Sequence, residues 1–337
     1  VMSMLISVLL NSIPMKKNAE NFRYFEPEVL FLMELALASY LFCKHDKEVG
    51  KAVLAKLSEI GLIGGSFKGF KRRILAYKLL LVSVLEEPNA ITKLINEDLL
   101  SEMLRMLLSL TEIENYSAVL YQNEGFWKVL RAFASAERHT CTVFEYLNGS
   151  ILKKENSISS TNFLWVLGLL DEISSIGAIG SKWEEEYEKS SENGQAKNQE
   201  NPYQETVETS LKSINATTHL IKLKRRDVLS KAELVGLLQA LGHQCFNPCY
   251  QLRTYAVGSL ESTILENLDT FSDTLTISEV VDNGFLVMME GENKPTAIPE
   301  VLSLFSKVYI HYLKLGKAEN DSFLKILNVF NKYVENP

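Results

Sequence analysis

A histidine and two cysteines lie close together in the sequence and could bind a metal ion. His243, Cys245 and Cys249 form an H-x-C-x3-C pattern, and imidazole and thiolate groups are the ligands that zinc prefers in proteins. A fourth ligand is not evident near them in the sequence. Lone cysteines more commonly pack as small apolar side chains, so we interpret both thiols as fillers around a turn between two helices. A metal-dependent enzyme built on this cluster is an alternative.

Two other cysteine–histidine pairs are weaker candidates for a chemical site. In the pairs Cys43/His45 and His139/Cys141 the two residues lie two positions apart. On a helix this spacing points the side chains to different sides, so neither pair predicts a nucleophile with its base. The sequence contains no G-x-S-x-G, H-E-x-x-H or phosphate-loop motif. It therefore predicts a non-catalytic chain without a cofactor.

Two short basic clusters stand out in a chain whose net charge is −7. Each could contact an acidic partner or an anionic membrane surface, where one basic residue contributes about 1 kcal/mol. A solvated charged turn gives the same pattern. The acidic overall charge argues against nucleic acid as a partner. The clusters are Lys68, Lys71, Arg72 and Arg73, before a helix predicted over 74–85, and Lys222, Lys224, Arg225 and Arg226, between two predicted helices.

Helical periodicity dominates the 337 residues that would have to position these groups. Apolar residues recur at three- and four-residue steps, for example at Val301, Leu304, Phe305 and Val308, which is the pattern of a helix with one buried face. Convincing strand alternation is absent, and short polar segments join many helices of similar length. The sequence therefore predicts an all-α protein, an α-solenoid of HEAT- or armadillo-like stacked helix pairs.

A polar segment divides the predicted helices into two regions. Residues 184–204 are charged and almost free of aliphatic side chains, so they would not bury enough apolar surface to offset the entropy of ordering. We therefore expect helical-repeat regions over 1–183 and 205–337, joined by a flexible acidic linker over 184–204. The apolar runs are shorter than the roughly 20 residues that a membrane span requires. Because the sequence starts at Val1, we expect it to be a piece of a longer chain.

The clearest repeat unit lies at residues 234–265. A leucine stripe predicts a first helix, after which an asparagine is placed to cap the second helix and a proline occupies its first position. An aliphatic–arginine pair and a small residue follow, which together resemble a HEAT repeat. The residues of this repeat signature are Asn247, Pro248, Leu252, Arg253 and Ala256.

Three segments together resemble the large Golgi-type Arf exchange factors of the GBF/Gea branch. Residues 236–265 contain the NPC…LR…A pattern of their late helical region, and NEGFWKVLR at 123–131 resembles one of their helices. The closing segments VLSLFSKVYIHYLKL and FLKILNVFNKYVE match a helix pair of that family in order. The resemblance extends from Glu26 to the end of the sequence.

That resemblance implies a function. The family promotes GDP release from Arf GTPases at the Golgi through a central exchange domain, and no segment here resembles that domain. The resemblance therefore implies a non-catalytic downstream region that serves regulation and membrane recruitment, cytoplasmic and peripherally associated with Golgi membranes. The implied partners are an Arf-family GTPase and other Golgi GTPases, the anionic Golgi membrane surface and the rest of its own chain. A HEAT-like scaffold or adaptor of a coat, tether or transport complex unrelated to Arf is the alternative.

Overall fold

The residues that the structure describes form helices joined by turns. The computed structural model describes residues 2–12, 22–42, 46–63, 68–85, 87–93, 96–154, 157–192, 200–224, 229–286 and 298–335. Within these ranges the chain forms helices and connecting turns and no strand, which confirms the all-α fold class. The chain divides into two compact units, residues 1–139 and 140–337.

The first unit is organised around its fourth helix. Its described helices are α1 (Met2–Ser12), α2 (Phe22–Phe42), α3 (Lys47–Ile63), α4 (Lys68–Leu85), α5 (Glu97–Thr111), α6 (Glu114–Tyr121), α7 (Glu124–Ala134) and the start of α8 (Glu137–Tyr146). α4 contacts α2, α3, α5, α7 and the short 3-10 helix Pro88–Lys93. Trp127, which its apolar stripe predicts to be in the core, is buried, and its indole N–H donates to the Tyr121 carbonyl at 2.9 Å.

The second unit contains two layers of helices. Its described helices after α8 are α9 (Phe163–Ile176), α10 (Gly180–Glu192), α11 (Gln204–Leu223), α12 (Lys231–Gln244), α13 (Tyr250–Glu266), α14 (Leu268–Thr274), α15 (Ile277–Val280), α16 (Ile298–Lys314) and α17 (Asn320–Glu335). Two π-helical turns, Leu147–Leu152 and Val281–Phe285, follow α8 and α15. α9, α12 and the turn Val281–Phe285 form one layer, and α11, α13 and α16 form the other. α9 pairs with α11 and α12 with α13 across the layers, which is the stacked-pair arrangement that the repeat pattern predicts.

Small and hydroxylated residues allow α9 and α11 to approach closely. The hydroxyls of Ser210 and Ser213 donate to the carbonyls of Ile173 and Leu170 at 2.9 and 2.7 Å. Directly after α9, a Cβ at Gly177 would lie 2.6 Å from Ser210 Oγ. Because real Cβ atoms do not come so near, glycine is required where the chain leaves α9 against α11.

The stretch Phe163–Lys189 is long and apolar enough to cross a membrane by length and composition alone, contrary to the expectation from the sequence. Asp171 and Glu172 interrupt the apolar run in the sequence, but the helical stretch continues past them. Half of its most apolar window is buried inside the protein, and α9 contacts both α11 and α12. Its carbonyls also accept hydrogen bonds from the α11 hydroxyls. We therefore assign α9 to the core of the second unit.

The structure divides the chain at a different place from the predicted linker. Residues 184–192 belong to α10, and residues 193–199 lie outside the described residues. The division between the two units falls between His139 and Thr140, within α8. Polar composition is compatible with a helix that contacts its neighbours along a narrow edge, as α10 does with α11.

A glycine ends α16. Gly316 has a φ of +69°, and the N–H of Lys317 donates to the Tyr312 carbonyl at 2.9 Å. The N–H of Gly316 also donates to the Leu313 carbonyl, at 3.0 Å. The two bonds form a Schellman motif, in which the left-handed residue is usually glycine because it lacks a Cβ. The turn between α16 and α17 is thus encoded by one residue.

Candidate functional site

The first predicted basic cluster lies inside α4, which begins at Lys68, rather than before a helix. The guanidinium group of Arg72 pairs with Asp98 at 3.2 Å, and that of Arg73 pairs with Glu102 at 3.3 Å. Both acidic residues lie on α5, so the positive charge of α4 is partly neutralised within the unit. Of the other two members, Lys71 is exposed, and the side chain of Lys68 lies outside the described set.

The second basic cluster is split between surface and core. Lys222 is exposed and pairs with Glu266 at 3.2 Å. Lys224 is buried, with only 2% of its side chain exposed, so it is unavailable to a membrane surface. The prediction of a contact residue at this position is therefore wrong. Arg225 and Arg226 lie outside the described residues.

The Lys224 ammonium group is fully engaged by its surroundings. It donates to the Glu233 carboxylate and, at 2.9 Å, to Ser160 Oγ, and it lies 5.6 Å from the centre of the Phe163 ring. Glu233 Oε2 also accepts from the Ser230 N–H at 2.7 Å, which completes a capping box at the start of α12. A buried charge is tolerated when it is paired and hydrogen-bonded in this way.

The carboxyl group of Glu233 is held in its charged form. Burial by itself would raise its pKa, but the hydrogen bonds from Lys224 and Ser230 outweigh burial and lower the pKa below its usual value. The carboxylate is therefore charged at neutral pH, and its contact with Lys224 joins the end of α11 to the start of α12.

The repeat signature surrounds the turn between α12 and α13, but the second helix starts later than predicted. α13 begins at Tyr250 with Cys249 at its N-cap, so Asn247 is not the cap and Pro248 is not the first helical residue. Asn247 Oδ1 instead accepts from the Cys249 N–H at 3.1 Å, and its Nδ2 donates to Gln244 Oε1 at 3.0 Å. Asn247 thus organises the turn itself.

The rest of the signature behaves as a repeat core requires. Leu252 and Ala256 are completely buried on α13. Arg253 donates through Nη1 to the carbonyls of Asn247 and Pro248 at 3.1 and 3.4 Å. The arginine therefore ties its helix back to the turn that precedes it.

Glu184 of α10 provides the cap that sequence reasoning assigned to Asn247. Its Oε2 accepts from the Tyr250 N–H at 2.8 Å, and its Oε1 accepts from the Gln251 N–H at 3.3 Å and from Cys249 Sγ at 3.2 Å. A carboxylate at a helix start pairs with unsatisfied N–H groups and with the positive end of the helix dipole. Glu184 lies 66 residues before Tyr250, so no local pattern signals this contact.

The thiols and imidazole of the H-x-C-x3-C pattern have separate partners. Cys245 Sγ donates to the Leu241 carbonyl, whereas His243 Nδ1 lies 3.0 Å from Asp171 Oδ1. Burial raises the pKa of Cys245 to about 12 and that of Cys249 to about 11, which keeps both thiols neutral. In the described part of the chain, no three histidine, cysteine, aspartate or glutamate side chains lie close enough together to hold a metal ion.

Asp171 joins α9 to α12 through a polar network. Gln244 Nε2 donates to Asp171 Oδ1 at 2.7 Å and to Ser175 Oγ at 2.9 Å. The hydrogen bond with Asp171 raises the pKa of His243 against the opposing effect of burial. Asp171 is therefore a structural link between the two helices.

A groove on the second unit, which we call the tyrosine groove, crosses α11 and α13. Its central cavity has a volume of about 650 Å³. Tyr250 and Tyr255 are 58% and 42% exposed there. The central lining includes Leu211, Asn215 and Thr218 of α11 and Tyr250, Gln251 and Tyr255 of α13.

Two smaller cavities adjoin the tyrosine groove. One, of about 290 Å³, shares Asn215 with it and includes Lys212 and His219. The other, of about 350 Å³, shares Tyr250 and includes Glu185. Of the residues named here, sequence reasoning singled out only Glu185, as part of the predicted linker. The others define no recognisable sequence motif, so the sequence offered no reason to group them.

Comparisons with known proteins define the relatives of this chain. A family model described as "GBF1-like, tetratrico peptide repeat region" matches residues 234–337. ARF guanine-nucleotide exchange factor 2 of Saccharomyces cerevisiae is 43% identical over 353 residues, which cover 98% of this chain and 24% of that protein. The chain is homologous to a region of the large ARF exchange factors. ARF guanine-nucleotide exchange factor 1 of the same yeast is 31% identical over 99% of this chain and 25% of its own length.

These relationships to ARF exchange factors confirm the resemblance seen in the sequence. The chain spans about a quarter of the length of the curated relatives that it matches. The family match begins within α12 and contains the repeat signature. Its description names a tetratricopeptide rather than a HEAT repeat, but both are stacked helix pairs. An adaptor unrelated to Arf is not favoured by these relatives.

Proposed function

We propose that this chain is a non-catalytic regulatory region of an ARF guanine-nucleotide exchange factor, that it acts in vesicle transport at the Golgi, and that it helps to recruit the exchange factor to Golgi membranes. The homology over 98% of the chain to a yeast ARF exchange factor carries this proposal. Prominent ionisable groups of the described residues, such as Lys224 with Glu233 and His243 with Asp171, hold helices together. Because these groups serve the fold, we propose that the chain acts by binding partners through its surfaces.

The proposed partners follow from the same reasoning. They are an ARF-family GTPase and other Golgi GTPases, the anionic Golgi membrane surface and the rest of the exchange-factor chain. The proposed location is the cytoplasm, with peripheral attachment to Golgi membranes. The exposed ammonium groups of Lys71 and Lys222 are available for a membrane contact, since surface ion pairs such as Lys222 with Glu266 are weak.

The recruitment proposal is tested by flotation of the chain with anionic liposomes of Golgi-like composition, with and without membrane-anchored, GTP-loaded Arf. The variant Lys71→Glu/Lys222→Glu reverses one exposed charge in each unit and leaves the structural Lys224 intact. The matched control is Lys128→Glu/Lys307→Glu, which reverses one half-exposed lysine in each unit.

Each outcome bears on a different part of the proposal. Flotation that requires Arf supports recognition of the GTPase. Flotation without Arf that is lost in the first variant and kept in the control supports recognition of lipid. Absence of flotation under both conditions contradicts the recruitment role. The regulatory role is contradicted if deletion of this region from the full-length factor leaves exchange on membranes unchanged.

A further inference from the structure

The tyrosine groove and its two adjoining cavities are long enough for a peptide. Shared residues, Asn215 and Tyr250, connect the three cavities, so the path runs from the turn Leu147–Leu152 across α11 and α13 to α10. Neighbouring helices pack about 8–10 Å apart, and an extended chain advances about 3.3 Å per residue. The path therefore accommodates about seven or eight extended residues.

The centre of the groove is suited to an uncharged stretch of backbone. Its lining contains one leucine and otherwise tyrosine, amide, hydroxyl and small residues, but no lysine, arginine, aspartate or glutamate. The side-chain amides of Asn215 and Gln251 make no hydrogen bond to any other described group. An amide both donates and accepts, so these two side chains can pair with peptide N–H and carbonyl groups. The rings of Tyr250 and Tyr255 offer apolar area beside them.

The α10 end of the path is acidic and aromatic. Glu185 and Glu188 are exposed there, and the rings of Trp183 and Tyr187 stack with centroids 4.9 Å apart. Arg253 also lines this end, but its guanidinium group donates to two backbone carbonyls and lies 5.6 Å from the centre of the Tyr250 ring. Carboxylates beside aromatic faces attract a cationic side chain.

The opposite end carries the other sign of charge. Lys212 is exposed and forms no ion pair with another described residue. His219 and the amide of Asn148 lie in the same cavity. An ammonium group with neighbouring donors is suited to a carboxylate.

We propose that the tyrosine groove binds an extended peptide segment that has a basic side chain at the α10 end and a carboxylate at the Lys212 end. The charge at both ends and the row of amide and hydroxyl groups between them favour a polypeptide. An anionic lipid would need one basic site for its headgroup that continues into an apolar slot, whereas the far end of this groove is polar and acidic. This inference is independent of the proposed membrane recruitment.

The experiment is fluorescence anisotropy with the 337-residue chain. The probes are labelled peptides of about eight residues with arginine at one end, glutamate at the other and serine and leucine between, made in both chain directions. Gly258→Tyr places a ring in the groove, where a Cβ meets no atom within 4 Å. Gly69→Tyr is the matched control, since Gly69 is also an exposed helical glycine with open space around it.

We expect saturable binding of at least one probe. Gly258→Tyr and Glu185→Lys/Glu188→Lys should each weaken binding by at least about tenfold, whereas Gly69→Tyr should bind as the unaltered chain does. Circular dichroism of each variant verifies that it is folded. The proposal is overturned by the absence of saturable binding, by equal binding of Gly258→Tyr, or by equal binding of probes with both charges replaced by glutamine. Liposome flotation that Gly258→Tyr abolishes, without peptide binding, would assign the groove to lipid instead.

Discussion

The two lysines at the end of α11 have opposite environments although they are two positions apart. Lys222 lies at the surface beside Glu266, and Lys224 is buried against Glu233. Water screens the surface pair, whereas the buried pair has lost its hydration and is stable only while both charges are present. The same substitution should therefore have very different effects at the two positions.

Replacement of Lys224 by methionine leaves the Glu233 carboxylate buried without its partner. We expect Lys224→Met to lower the free energy of unfolding by about 3–5 kcal/mol, and Lys222→Met to lower it by about 1 kcal/mol or less. Urea denaturation followed by circular dichroism measures both. The double variant Lys224→Met/Glu233→Gln should regain most of the loss, because no charge is then left in the core. Equal losses in the two single variants would contradict the structural role of Lys224.

The lowered pKa of Glu233 predicts an acid-dependent loss of stability. A carboxyl group whose pKa in the folded protein lies below its usual value of 4.5 stabilises the fold above pH 4.5, and this contribution disappears as the pH falls through the folded pKa. The midpoint of urea unfolding should therefore fall more steeply below pH 4.5 in the unaltered chain than in Lys224→Met/Glu233→Gln. Parallel pH profiles of the two proteins would show that the pair is not responsible.

At the scale of the elements, α10 and α13 are held together by one carboxylate at a helix end. Glu184 accepts hydrogen bonds from the N–H groups of Tyr250 and Gln251. A helix start leaves several such groups unpaired, and here the residue at the N-cap, Cys249, makes no side-chain cap. The start of α13 therefore depends on a residue of another helix.

Removal of this cap should loosen the start of α13. We expect Glu184→Ala to lower the free energy of unfolding by about 1–2 kcal/mol, and Glu184→Gln, which keeps an acceptor, to lower it by less. Amide hydrogen exchange at Tyr250 and Gln251 should accelerate in Glu184→Ala. The exposed neighbour Glu185 provides the control substitution Glu185→Ala, for which both quantities should stay the same. Unchanged exchange in Glu184→Ala would argue against the cap.

Sequence reasoning succeeded at the elements where the determining residues are close in the chain. The period of the apolar stripe predicted that Leu252 and Ala256 are buried, because a helix repeats its inward face every three to four residues. The contacts of Glu184 and Lys224 were missed. Glu184 and the helix start that it caps are 66 residues apart in the sequence. A lysine in a basic run cannot be distinguished by composition from a surface lysine until the position of its partner, here Glu233, is known.

At the scale of the whole molecule, the division between units has no compositional signal. It falls inside α8, between His139 and Thr140, whereas the polar segment at 184–204 includes most of α10. A boundary in the polar segment would separate α9 from α11, although α11 hydroxyls donate to α9 carbonyls. Composition therefore indicated where the chain is polar rather than where contacts are few.

Two fragments distinguish these boundaries. We expect residues 137–337, which keep α8 intact, to fold with a cooperative urea transition. Residues 205–337 lack both α9 and the Glu184 cap, so this fragment should have lower helix content by circular dichroism and a broader transition. If 205–337 unfolds with the same cooperativity and midpoint as 137–337, the boundary predicted from the polar segment is the better one.

The burial of Lys224 also makes its reactivity a measure of local opening. Amine-directed acylating reagents attack a lysine only when its nitrogen is exposed and deprotonated, so Lys212 and Lys222 would be acylated directly from the folded state. Lys224 would be acylated only while the start of α12 is open, and its acylation rate would count those openings. Read by mass spectrometry with and without the proposed partners, this rate would report whether any of them changes the opening of this region, without any substitution in the protein.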